Sequence, residues 1–321
     1  MTTMRQVARG LLSTSTRSPL LLTRPLVRPI SCTHGLLQAP AAAVPSSSPE
    51  SATSKAERTL RRFWKKVDVA YHSTPQSTSH LRVRLDGRPL KTPSGSVLEI
   101  PADRPLLAAV IAKEWAEQER ILRPHSLPLT SLAARAIDGL SREKDRIGVV
   151  QELARYLDTD TICFHEDHPP VLVQLQKERW DPIIAWADKR FKLEKRTKVF
   201  EGLLDIEQDS HVVATLSRHI LTAFDAWDLA AFERAVRSTK SFLVALRLVQ
   251  AIQEREAAFG VEEASLAAEV EVESQTQRWG QVEDTHDVDH ADARKLLGSV
   301  AIAVQRETDG DRLARQIFAH T

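Results

Sequence analysis

The hydrophobic period of this chain changes once, near residue 101, and that change restricts the folds open to it more than any other feature. Before it, Val67, Val69 and Tyr71 alternate with polar residues, as do Leu81, Val83 and Leu85 with Arg82 and Arg84 between them. A period of two puts the apolar side chains on one face of a pleated strand. Asp86-Gly87 is a hairpin signal, because both residues tolerate the positive φ of a tight turn. Pro93-Ser94-Gly95 marks a second turn, ahead of Val97-Leu98-Glu99-Ile100. Residues 65–100 are therefore expected to form a small antiparallel sheet.

Beyond that point the period is 3.6. Asp103 is placed to cap a helix whose inner face carries Leu107, Val110, Ile111 and Trp115. Leu129, Leu132, Ala133, Ala136, Ile137 and Leu140 keep the spacing, as do Ile147, Val150, Ala154 and Leu157. A short β-like stretch, Thr161 to Phe164, closes this region. From Pro169 the chain reads almost wholly helical, with Pro182 breaking or restarting a helix in "RWDPIIAWADKRF". Later helices carry Val213, Leu216, Ile220 and Phe224, then Phe242, Leu243, Leu246 and Val249, then Leu296, Leu297, Val300 and Val304. No repeat and no sustained heptad seam is present, which favours a globular bundle over a coiled coil. The expected fold is α+β: an N-terminal mixed α/β domain with a small antiparallel sheet over residues 58–165, followed by an all-α helix bundle over 166–321.

The first 57 residues read differently. Residues 1–49 contain Arg5, Arg9, Arg17, Arg24 and Arg28 but no Lys, Asp or Glu. Met4, Val7, Ala8, Leu11 and Leu12 form an apolar stripe at helical spacing, with Arg5 and Arg9 beside it. This is the pattern of a mitochondrial transit peptide. "APAAAVPSSSPESATSK" then reads as a flexible linker. Without those five arginines the chain has 39 basic against 43 acidic residues, a balance that argues against general nucleic-acid binding. No apolar run approaches the ~20 residues of a membrane span. The two cysteines are Cys32, in the leader, and Cys163, so neither a disulfide framework nor a Cys-rich metal site is expected.

No Walker loop, dinucleotide fingerprint, HExxH, GxSxG or CxxC occurs. Two clusters contain metal-ligand residue types. His165-Glu166-Asp167-His168 precedes Pro169-Pro170, and adjacent loop side chains rarely converge on one ion. Asp284, His286, Asp287, Asp289 and His290 include a histidine pair at i, i+4, from which a metal-dependent enzyme using segment 284–290 is the alternative reading. Cys163, between Ile162 and Phe164, has the setting of a small buried thiol.

The same end of the chain concentrates carboxylates beside a tryptophan. "EVEVE" alone alternates like a strand, but "VEEASLAAEVEVESQTQRWG" is Ala/Glu/Gln-rich, starts acidic and stops at Gly280, which predicts one helix. On it Glu271, Gln275 and Arg278 share a face, and Glu269, Glu273 and Gln277 a neighbouring one. A solvated acidic face, paired catalytic carboxylates and a partner-binding face all remain open on this pattern alone.

"RLDGRPLKTPSGSVLEIPADRPLLAAVIAKEWAEQERILRPHSLPLTSLAARAID", "RWDPIIAWADKRF" and "EVEVESQTQRWG" resemble, in order, the motifs of the ATP synthase assembly chaperones that act on the alpha subunit of the catalytic head. The resemblance runs from about Arg61 to Trp279 and is looser beyond Gly280. It implies a mitochondrial matrix protein of two domains without enzymatic activity, whose helical domain is an orthogonal bundle; a monomer without cofactor or metal is the default expectation. The implied task is to hold free alpha subunit until the beta subunit replaces the chaperone. By the same resemblance Glu271, Glu273, Gln275, Arg278 and Trp279 are the expected partner-binding residues. For Glu271 and Glu273, a contact with the client competes with an internal ion pair to an arginine of the bundle. Trp115, Trp180 and Trp186 are expected in the core. Gly87 and Pro89 are expected to serve the hairpin, as turn and edge residues.

Overall fold

Strand β1 (Val67–Thr74) and strand β2 (Ser77–Leu85) pair antiparallel, with Val67 opposite Leu85, Val69 opposite Val83 and Tyr71 opposite Leu81. The alternation decides the faces: Leu81, Val83 and Leu85 are buried, while Arg84 donates to Asp68 at 2.6 Å and Arg82 Nε to Glu99 at 2.9 Å. Asp86 (φ 48°) and Gly87 (φ 79°) form the predicted turn into β3 (Arg88–Pro89). Strand β4 (Glu99–Pro101) also pairs with β2, Ile100 opposite Leu81. Pro89 sits on a two-residue edge strand, where its missing N–H interrupts no ladder.

The computed structural model describes residues 61–74, 77–202, 206–280 and 286–318. The leader and linker expected over 1–57 lie outside the described residues. Described residues from 61 onward belong to one compact unit. The α+β fold class is as the periodicity predicts, a small antiparallel sheet followed by helices.

Helix α1 (Pro105–Ala116) buries Leu107 and Ile111, with Val110 and Trp115 half-buried. It is entered through Arg104 and Pro105 at its first position. Asp103 does not cap it, and its carbonyl instead accepts from Glu307 N at 2.8 Å. Helix α2 (Pro128–Ala134) runs into a π-helical turn, Arg135–Gly139, and α3 (Glu143–Ala154) follows. Ile147 lies 38% exposed, so the inner face of α3 is set by Val149, Val150 and Leu153 instead. The β-like stretch at 161–164 is a 3-10 turn, Thr161–Cys163. Buried Asp160 accepts from Ile162 N at 3.2 Å and from Leu243 N at 3.0 Å, and this local bonding overrides the strand pattern. Only one parallel bridge, Phe164 to Phe200, remains of it. Cys163 is a free buried thiol, pushed well up in pKa by burial.

Helix α4 (Pro170–Arg179) ends before Trp180, and α5 (Asp181–Arg190) restarts with Pro182 in its first turn, as predicted. Helices α6 (Ser210–Ala223), α7 (Ala226–Thr239) and α8 (Phe242–Gln253) follow, then α9 (Val261–Ala268), α10 (Val270–Trp279), α11 (His286–Val304) and α12 (Gly310–Phe318). Every residue of α8 from Phe242 to Ala251 is buried, so it is the central helix of the bundle. One hydrophobic cluster runs from Leu81 and Ile100 of the sheet to Phe232, Phe242 and Leu246 of the helices. Trp180 is fully buried, while Trp115 and Trp186 are half-buried at the margin of this cluster.

Candidate partner-binding site

The residues from Val261 to Trp279 form two helices, not the one that composition predicts. Glu269 (φ −107°, ψ 11°) ends α9 and begins α10. The reason lies at the C-terminal end of α4, in Arg179 and the Trp180 that follows it. Arg179 Nη1 donates to Leu266 O at 3.1 Å and Trp180 Nε1 to Ala267 O at 2.8 Å. These carbonyls at the end of α9 are thus satisfied from outside their own helix, which allows the chain to turn there. Arg179 also donates to Glu273 Oε2 at 2.6 Å, fixing α10 against α4. Buried Val270 and Ser274 form the inner face of α10.

This arrangement sorts the predicted residues into two groups. Glu273 makes the internal ion pair with Arg179 and accepts from Gln277 Nε2 at 3.0 Å. The Arg179 hydrogen bond holds its carboxyl below the ordinary value. Glu271, Gln275, Arg278 and Trp279 are exposed on the other side. Trp279 is 70% exposed, Val272 beside Glu271 is 37% exposed, and the Arg278 guanidinium lies 5.2 Å from the indole centroid. The outward face of α10 is therefore an apolar stripe, Val272 and Trp279, framed by one acid, one amide and one arginine. Such a surface can bury an aromatic anchor in a partner and orient it by charge.

The described members of the two clusters of metal-ligand residue types do not converge on one point. Asp284 lies outside the described residues, as do the side chains of His286 and Asp287. His290 Nδ1 lies 2.6 Å from Glu269 and 3.2 Å from Arg294 Nη1, so a cation at this nitrogen would meet a guanidinium. His165 Nε2 lies 3.2 Å from the Ile162 carbonyl. Among the described residues no group of three or more His, Cys, Asp or Glu is placed to hold a metal ion. No helix among them is long and apolar enough to cross a membrane.

Periodicity did not reveal two charged clusters. Arg104, fully buried, joins Asp225, Asp228 and the Ala303 carbonyl, and Arg135, Arg234 and Arg237 gather beside Glu233. Their members are scattered in sequence, and only the Asp225–Asp228 pair and Glu233, Arg234 and Arg237 share a helical spacing that could have drawn notice.

A family model described as the ATP12 chaperone protein matches residues 61–188. The protein named atp12, mitochondrial, of Schizosaccharomyces pombe is 32% identical over 248 residues, covering 76% of this chain and 81% of that protein. The chain belongs to the ATP12 chaperone family. The ATP12 protein, mitochondrial, of Saccharomyces cerevisiae is 30% identical over 287 residues, covering 79% of this chain and 87% of its own length. The crystal structure of Atp12 from Paracoccus denitrificans matches with a TM-score of 0.61 at 27% identity, covering 78% of this chain and all of that one. The ATP12 family model ends before α10, so the face described above lies outside the matched segment.

Proposed function

We propose that this chain is an assembly chaperone for mitochondrial ATP synthase that binds the free alpha subunit of the catalytic head in the matrix. It works as a monomer and without turnover, shielding alpha from aggregation until the beta subunit displaces it. Membership of the ATP12 chaperone family supports the class, and the Arg-rich, acid-free leader together with the mitochondrial names of its relatives supports the address. A ring subunit made before its neighbours exposes large apolar interfaces, and a binder that covers them suppresses aggregation by mass action. The observation that carries the reading to α10 is the exposed Trp279 beside Arg278, with Gln275 and Glu271 one and two turns earlier. Glu273 contributes by holding that helix in place through Arg179.

The test is a pull-down of tagged mature chain from matrix extract. Alpha subunit is expected to co-purify, unaffected by chelator or ATP, and Trp279→Ala and Glu271→Lys are expected to lose it while remaining folded. Alpha subunit that stays equally soluble and assembles at normal yield without this chain would overturn the proposal.

A further inference from the structure

A second surface, well apart in sequence from α10, has the chemistry of a carboxylate receptor. The π-helical turn after α2, the middle of α7 and the α11 residue Leu296 enclose an open cleft of about 410 Å³. Three arginines line it, Arg135, Arg234 and Arg237, with a single carboxylate, Glu233. Arg135 donates to Glu233 from Nε at 2.8 Å and from Nη2 at 3.1 Å. Arg237 donates from Nη2 to Glu233 at 3.1 Å and, outside the lining, to Glu152 at 2.9 Å. A Cβ on Gly139 would come within 2.5 Å of Arg135 Nη1, so the turn leaves room for this guanidinium.

Arg234 differs from the other two. It donates to the Pro128 carbonyl at 2.6 Å, to Ser299 Oγ at 3.0 Å and to Ser131 Oγ at 3.4 Å, all neutral oxygens. Its Nε–H and one Nη2–H have no protein acceptor among the described residues. Burial draws its pKa down, and Glu114 and Glu233 oppose this only through space. The Glu114 oxygens already accept from Leu129 N at 2.7 Å and from Thr130 N at 2.9 Å. A half-buried cation without a directly bonded anion is an arrangement that a carboxylate from outside would complete, and a guanidinium fork suits a planar carboxylate.

We propose that this cleft is a second docking point on the chaperone and receives a Glu or Asp side chain from an acidic, partly apolar segment of its protein client. Leu132, Ala230 and Leu296 line the same cleft, which fits an amino-acid side chain flanked by apolar neighbours better than a free anion. Only the identity of the partner rests on the alpha-subunit reading.

The probe is an acetylated, amidated, coumarin-labelled peptide of alternating Glu and Leu, with a Gln-for-Glu copy as control, titrated against the full mature chain by fluorescence anisotropy. Saturable binding that weakens with salt and is absent for the Gln copy is expected. Arg237→Gln and Arg135→Gln, both at partly exposed side chains, are each expected to weaken it about tenfold, the scale of one charge-assisted hydrogen bond. Thermal unfolding verifies that each variant is folded. No saturable binding, equal binding of the Gln copy, or undiminished binding by both variants would overturn the assignment. Vesicles of anionic phospholipid that displace the Glu peptide and lose their own binding in Arg237→Gln would also overturn it, in favour of a headgroup site. Trp279→Ala is expected to bind the peptide normally. In the unaltered chain, peptide binding without alpha-subunit capture counts against the client, and alpha-subunit capture without peptide binding counts against the cleft.

Discussion

At the Arg104 guanidinium three parts of the chain meet. Nη2 donates to Asp225 at 2.8 Å and to Asp228 at 2.9 Å, and Nη1 donates to the Ala303 carbonyl. Arg306 contacts the same two carboxylates at 2.8 Å and 2.5 Å. Asp225 also caps α7, accepting from Trp227 N and Asp228 N at 2.8 Å each. Removing one partner of a buried network leaves the rest uncompensated, so Arg104→Met is expected to lower stability by about 3–5 kcal/mol in urea denaturation. Replacing both charges, as in Arg104→Met with Asp228→Leu, is expected to recover part of that loss. Asp160 gives a pH signature of opposite origin. Burial pushes its carboxyl up to about 6, against hydrogen bonds that include those from the backbone at Leu243 and Ile162. The folded state therefore holds this proton more tightly than the unfolded chain does. The resulting penalty builds as pH rises from about 4 to about 6 and is complete above that. Asp160→Asn is expected to remove this slope, although its amide replaces one acceptor oxygen with a donor. Chemical denaturation of both proteins across that interval reads the difference.

Helix α10 separates two kinds of charged residue that look alike in sequence. Glu271 and Glu273 are two positions apart and therefore on different sides of the helix. Glu273→Lys breaks the Arg179 pair and sets two cations against each other beside the α9 carboxyl end. It is expected to cost about 1–2 kcal/mol and to loosen α10, measured by hydrogen exchange of the Ser274 and Gln275 amides. Glu271→Lys, on the exposed side, is expected to change stability by less than about 0.5 kcal/mol. If the two variants destabilise equally, the division of this helix into an inner brace and an outer contact face is wrong. The helical character of this segment was legible from its Ala, Glu and Gln content. The break at Glu269 was not, because it depends on Arg179 and Trp180, some 90 residues earlier, reaching the α9 carbonyls.

The whole molecule is closed by its C-terminal segment. Arg306 joins buried Asp228 and its neighbour Asp225, and Glu307 N donates to the Asp103 carbonyl at 2.8 Å. Gly310 approaches so closely that a Cβ would lie 2.5 Å from Asp103 Cα. Helix α12 packs on β1, where Arg315 Nε donates to Tyr71 Oη at 3.1 Å. A chain ending at Val304 loses all of these and leaves Asp228 with only one of its two arginines. It is expected to unfold at a markedly lower temperature by calorimetry. Sheet and bundle signals are expected to fall together, since one hydrophobic cluster spans both.

The order of sheet and helices, the turn at Asp86-Gly87, the restart at Pro182 and the buried thiol could all be read from the residues in their linear order. Each of these depends on periodicity or backbone preference within a few residues. Tertiary structure alone decided which acids are braces and which are free, where the acidic helix breaks, and that three arginines share a cleft. Those outcomes depend on charges brought together across tens to hundreds of residues. A one-dimensional pattern records which face a residue occupies but not what the opposite surface offers it.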